Sequence, residues 1–200
     1  RTPGTTGGAR EMEITDFAAA IPDHQFDFII FEACLMSGIE VAYELRNKTD
    51  YLLASSAELL VPGYAPVYPT AFQYLFDTSL GVPQALEKFA GSYFNYIDTR
   101  NGAYRSATQS IVYTREMDAL AILAGKTTGN THGRWDDALL GKLQHFDRPG
   151  SYGDIPARPR YFDFGQYMAY LAPERQADLD ALLRKTVVWK AATPEFMAGY

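Results

Sequence analysis

Cysteine is almost missing from this chain: of its 200 residues, only Cys34 carries a thiol. That excludes an internal disulfide framework and a zinc site assembled from several thiolates. Basic residues are also scarce, 18 Lys and Arg against 24 Asp and Glu for a net charge of −6, and they are scattered rather than massed on one stretch. No footprint for a phosphate backbone results, so nucleic acid is not expected as a partner. No run reaches the ~18 apolar residues of a membrane-spanning helix. Arg1-Thr2-Pro3-Gly4 lacks the apolar core of a secretory signal. Neither an internal repeat nor a low-complexity tract interrupts the chain. What is present, 47% apolar and 21% charged residues, describes one globular domain of ordinary composition.

Residues 1–10, rich in Gly, Thr and Pro, read as a flexible lead-in to a domain spanning 11–200. A short amphipathic helix is predicted over Glu11–Ala20, ending before Ile21-Pro22. Phe26-Asp27-Phe28-Ile29-Ile30-Phe31 is a nearly continuous aromatic and β-branched run, the composition of a strand buried on both faces of a parallel sheet. Ile39, Ala42, Tyr43 and Leu45 recur at helical spacing, predicting a helix from Ser37 to about Lys48, and Tyr51–Ala54 returns as a strand. Strand, helix and strand in this order form a parallel βαβ unit. Further along, Val61–Pro66 reads as a loop, Thr70–Phe76 and Pro83–Tyr96 as helices, and Gln109–Tyr113 as a strand. Glu116–Ala124 predicts a helix stopped by Gly125, followed by an exposed polar stretch from Lys126 to Gly133. Arg148–Pro159 suits a long surface loop, Ala177–Lys185 a helix and Thr186–Trp189 a strand. The fold class expected is α/β.

In an open parallel sheet, binding and catalysis gather at the carboxyl ends of the strands. Cys34 lies just past the end of the Phe26–Phe31 strand and just ahead of the next predicted helix. A helix N-terminus there favours thiolate over thiol, which suits a nucleophile. A Cys that only fills space at a strand end occupies the same position. The block from Phe26 through Glu32-Ala33-Cys34 to Met36, followed by Glu40–Leu45, resembles the strand, Asp-Ala-Cys and helix block of the clostripain family of cysteine peptidases. Tyr51–Glu58 and Pro62-Gly63 resemble that family's next strand and the specificity loop after it. Tyr161–Gly165 falls where the family often has a similar acidic and aromatic stretch.

The resemblance implies a caspase-like α/β/α sandwich with a mostly parallel central sheet, incomplete in this chain. It also implies hydrolysis of peptide bonds after Lys or Arg by a His and Cys pair. Cys34 would be the nucleophile, its backbone N–H part of the oxyanion hole. Glu32, where the family usually has Asp, would lie at the floor of the pocket for the basic side chain, and Ser55 and Glu58 would line that pocket from the next strand. The extra methylene of Glu32 changes the depth of such a pocket. No organic cofactor is implied, and calcium is compatible with the family. The partners implied are a peptide or protein substrate and a light chain or upstream segment carrying the His. The location implied is secreted or at a bacterial cell envelope.

A Cys nucleophile needs a base, and the chain offers His24, His132 and His145. His24 precedes Cys34 in the same entering segment, so a strand at about 3.3 Å per residue carries it to the opposite end of the sheet. His132-Gly133 has the family's dipeptide but follows the Cys and lacks an apolar strand before it, and His145 stands in no motif. The expectation is a catalytic His upstream of residue 1. The rival reading is a non-catalytic scaffold or binding protein that kept the fold and lost the His. Asp163-Phe164-Gly165 has the kinase tripeptide without any other kinase motif. Asp136-Asp137 and Glu11 with Glu13 read as solvated faces, because calcium needs about 6–8 oxygen ligands. The 14 Tyr and 12 Phe are spread at strand and helix spacings, as core and groove wall are.

Overall fold

The computed structural model describes residues 12–128, 137–148 and 159–196. A four-stranded sheet in the order β1-β2-β3-β4 carries the fold, formed by Phe26–Ile30, Thr49–Ala54, Thr108–Tyr113 and Val187–Ala192. β1 and β2 are parallel, with Phe28 opposite Tyr51 and Ile30 opposite Leu53. β3 is antiparallel to both its neighbours, pairing Leu53 with Ile111 and Ile111 with Trp189. β4 therefore runs in the direction of β1 and β2, and three of the four strands point the same way.

Strand alternation sends successive side chains to opposite faces and so builds two cores. Leu53 and Ile111 face a cluster closed by α3 (Tyr68–Leu75) and α4 (Val82–Asp98). Leu52, Ala54 and Val112 face the other, closed by α1 (Ile14–Ala19), α2 (Ile39–Glu44) and α5 (Met117–Thr128) together with α7 (Phe164–Leu171) and α8 (Gln176–Thr186). The single turn Asp137–Leu140 is α6. The result is an α/β/α sandwich. α4 is the best-defined helix: Gly81 donates its N–H to the Gln84 side chain, Pro83 sits in the first turn, and Leu86, Phe89, Ala90, Tyr93 and Ile97 bury one stripe.

Several boundaries differ from expectation. The helix expected over Ser37–Lys48 is only Ile39–Glu44, because Gly38 caps it and the chain turns again, with the Lys48 N–H on the Leu45 carbonyl at 2.8 Å. α5 does not stop at Gly125 but runs to Thr128. A helical Gly costs about 1 kcal/mol relative to Ala, which the burial of Leu120, Leu123 and Thr127 on this helix outweighs. Thr127 is accordingly buried, where exposure was expected. α7 follows Asp163, whose carboxylate accepts the Gln166 N–H at 2.7 Å, so the kinase-like tripeptide is a helix cap. β1 was expected to be buried on both faces. Phe26 and Asp27 are exposed, and β1 pairs with β2 alone among the described residues. Residues 1–10, Glu11, His132-Gly133, Asp136 and most of the Arg148–Pro159 stretch lie outside the described residues.

Candidate active site

The carboxyl ends of β1 and β2 continue side by side past their last strand residues. Phe31 donates its N–H to the Leu53 carbonyl at 2.9 Å, Leu35 to Ala57 at 3.0 Å and Ser37 to Ser55 at 3.0 Å. Between the first and second of these bonds the chain turns through Ala33, Cys34 and Leu35, and Leu35 takes a φ of 62°. A side chain in that left-handed region costs on the order of 1 kcal/mol, and the flanking hydrogen bonds hold it there. Cys34 is exposed on this turn.

Cys34 does not sit at a helix N-terminus. α2 begins at Ile39, and the turn and Gly38 separate the two, so the helix-dipole account of the thiol is corrected. The polar contacts come from the β2 side instead. The Leu59 N–H donates to Sγ at 3.3 Å, a bond that suits a sulfur bearing charge, and the thiol faces the Leu59 carbonyl at 3.8 Å.

Glu32 points to the α3 and α4 side of the sheet, like Phe28 and Ile30 before it. Its Oε1 accepts the Tyr64 N–H at 2.7 Å, and its Oε2 accepts the Tyr68 hydroxyl. Gly63 makes this approach possible: it has a φ of 63°, and a Cβ added there would lie 2.3 Å from Oε1. Burial and the Glu32 carboxylate push the Tyr68 phenol up to about 12, so its hydroxyl is a proton donor at every physiological pH. Glu32 itself is exposed, not enclosed as a pocket floor in the described residues.

The two other expected pocket residues separate. Ser55 is wholly buried, with its hydroxyl on Thr108 at 2.9 Å, and so lines no surface; it supports the wall from behind. Glu58 is half-buried in the segment between β2 and the Gly63 turn, next to Leu59. Three aromatic neighbours were not foreseen. Tyr64 is fully buried and donates to Gln109 at 2.7 Å, and burial raises its phenol far above the usual value. Tyr93 packs edge-on to Tyr64 at 4.8 Å, and burial, then the charges of Cys34 and Glu32, push it up to about 12. Tyr68 stacks on Phe72 at 4.6 Å. The signal for Tyr64 was the Pro62-Gly63-Tyr64 run, where a glycine in a tight loop marks close backbone approach.

His24 lies exposed before β1, at the end of the strand away from Cys34, its N–H on the Asn47 carbonyl at 2.7 Å. His145 pairs its backbone with Phe162, and its Nδ1 is 2.8 Å from the Asp147 carbonyl oxygen. Neither hydrogen-bonds to Cys34 among the described residues. A cavity of about 1440 Å³ lies on the opposite face of the sheet, between α1, α2, α7 and α8; Leu35, Met36 and Ser37 reach it from the turn, but Cys34 and Glu32 do not. Geometry and chemistry thus favour the Cys34 face over the larger space. No group of three or more His, Cys, Asp or Glu side chains among the described residues is placed to hold a metal ion.

The chain aligns over 94% or more of its length with solved cysteine peptidases. A clostripain from Bacteroides thetaiotaomicron, solved with the peptide inhibitor BTN-VLTK-AOMK, is 26% identical, with a TM-score of 0.76 over 100% of this chain and 83% of its own. A secreted C11 cysteine protease of the same organism, iotapain, is 28% identical, with a TM-score of 0.73 over 94% of this chain and 49% of its own. An inactive zymogen C11 protease from Parabacteroides distasonis is 29% identical, with a TM-score of 0.72 over 94% of this chain and 51% of its own. This chain therefore spans about half the length of the last two. No protein of curated function matches it. The family model for clostripain peptidases matches residues 5–143, well over half the chain and the whole of the Cys34 turn with its Glu32 and Tyr64 partners. The chain belongs to the clostripain family of cysteine peptidases.

Proposed function

We propose that this chain is the Cys-bearing part of an endopeptidase that cleaves after Lys or Arg, with Cys34 as its nucleophile. One observation carries the reading: an exposed thiol stands on the turn beyond β1, contacted by the Leu59 N–H, on the same turn as the Glu32 carboxylate. The Cys34 thiolate attacks the carbonyl carbon of the scissile bond, and the electron pair moves to oxygen, held in part by the Cys34 N–H. A His from a segment upstream of this chain takes the thiol proton and gives it to the departing amine. Water then attacks the thioester with the same His as base, releasing the new carboxylate and restoring the thiolate. Glu32 neutralises the basic side chain preceding the cleaved bond, with Glu58 adding negative charge nearby. Iotapain is described as secreted, and we extend that location to this protein.

The test is hydrolysis of a Lys or Arg peptide by the complete gene product and its Cys34→Ala variant. Turnover should vanish in the variant while its circular dichroism stays unchanged. Substantial turnover without Cys34 would put the nucleophile elsewhere. No turnover by the unmutated protein would favour a scaffold.

A further inference from the structure

The proposed function leaves open which basic side chain Glu32 receives, and the surroundings of its two oxygens differ. A carboxylate offers about four lone-pair positions. On Oε1 one is taken by the Tyr64 N–H at 2.7 Å, and the backbone of Gly63 packs so closely that an added Cβ would lie 2.3 Å from that oxygen and 3.0 Å from Cδ. On Oε2 one is taken by the Tyr68 hydroxyl, and among the described residues no backbone N–H donates to it. Tyr68 cannot drift from this post, because its ring is stacked on Phe72 at 4.6 Å and faces Phe89 at 6.4 Å. The carboxylate of this exposed residue is thus held with one oxygen against the Gly63-Tyr64 main chain and the other on a side-chain hydroxyl alone.

Arg and Lys make opposite demands on such a group. A guanidinium pairs best through two parallel N–H bonds to both oxygens along one edge, whereas an ammonium is a compact donor that needs one lone pair. We propose that Tyr68 is a positioning residue which, with the Gly63-Tyr64 main chain, makes the site selective for a lysine side chain over arginine. This rests on Glu32 being the residue that receives the basic group. The ammonium shares Oε2 with the Tyr68 hydroxyl, and the aliphatic stem of the substrate lysine reaches it without needing Oε1. Removing the hydroxyl frees the carboxylate to turn both oxygens outward, which helps arginine and loosens the contact to lysine.

The experiment uses the complete gene product and three peptides that differ only in the residue before the cleaved bond: Lys, Arg or Leu. Lys should exceed Arg in kcat/KM by roughly tenfold, and both should exceed Leu. Tyr68→Phe should raise KM for the Lys peptide by roughly tenfold, with the smaller share in kcat, and narrow the Lys to Arg ratio. In a Glu32→Gln background the same change should have no further effect. Arg cleaved as well as Lys by the unmutated enzyme overturns the inference while leaving Glu32 in place. A Tyr68→Phe loss of equal size in both backgrounds makes Tyr68 a structural support only and overturns its positioning role. If Glu32→Gln leaves the preference for basic over Leu peptides intact, the proposed role of Glu32 fails, and the inference fails with it.

Discussion

Gly63 and Glu32 show at the scale of single residues how one side chain constrains another's backbone. The Glu32 carboxylate occupies space a Cβ at position 63 would need, and the φ of 63° there already favours glycine. Gly63→Ala should therefore cost about 1 kcal/mol in backbone strain and also push Glu32 off the Tyr64 N–H. The listener to that shift is specificity: kcat/KM for basic peptides should fall several-fold while hydrolysis of a Leu peptide is untouched. Equal loss on all peptides would mean that the turn merely supports the fold. The placement of Cys34 and Glu32 just past β1 was legible in the sequence because strand, turn and acidic residue are adjacent there. Tyr68 and Tyr93 were not, since their place beside Glu32 depends on how α3 and α4 pack against the sheet. Ser55 misled for a related reason: its neighbour Ser56 is partly open, and a shift of one residue along a strand exchanges buried for exposed.

At the scale of elements, apolar spacing located the strands and the long helix, and local capping set the ends. α2 is short because Gly38 starts it and the Leu45–Lys48 turn ends it, a competition that periodicity does not weigh. α5 passes through Gly125 because the buried leucines on its inner face outweigh one weak helix former. α7 escaped the sequence reading altogether, as its only strong signal is the Asp163 cap. Asp163→Ala should destabilise the protein by about 1 kcal/mol, read as a lower midpoint in urea with an unchanged slope. An unchanged midpoint would show that packing of Met168 against the core, and not the cap, fixes this helix.

At the scale of the whole molecule, the sheet edge that leads into the Cys34 turn is only partly covered among the described residues. β1 carries the residues leading into Glu32 and Cys34, yet Phe26 is 45% exposed and Phe28, Ile29 and Ile30 are only partly covered. The composition of this strand anticipates burial on both faces, which the described residues supply only in part. The parallel βαβ start was readable while the reversed β3 was not, because strand direction between β2 and β3 is set by a long helical connection, α3 and α4, whose hydrophobic spacing is the same in either topology. The proposed nucleophile is the Cys34 Sγ, the atom that bonds to substrate. It is tested most directly by treating the complete gene product with a peptide carrying an electrophile after a C-terminal Lys and locating the adduct by mass spectrometry. One adduct on Cys34, formed in step with loss of activity and slowed by excess Lys peptide, is the result predicted here. Loss of activity with the label on any other residue, or full labelling of Cys34 with turnover retained, would contradict it.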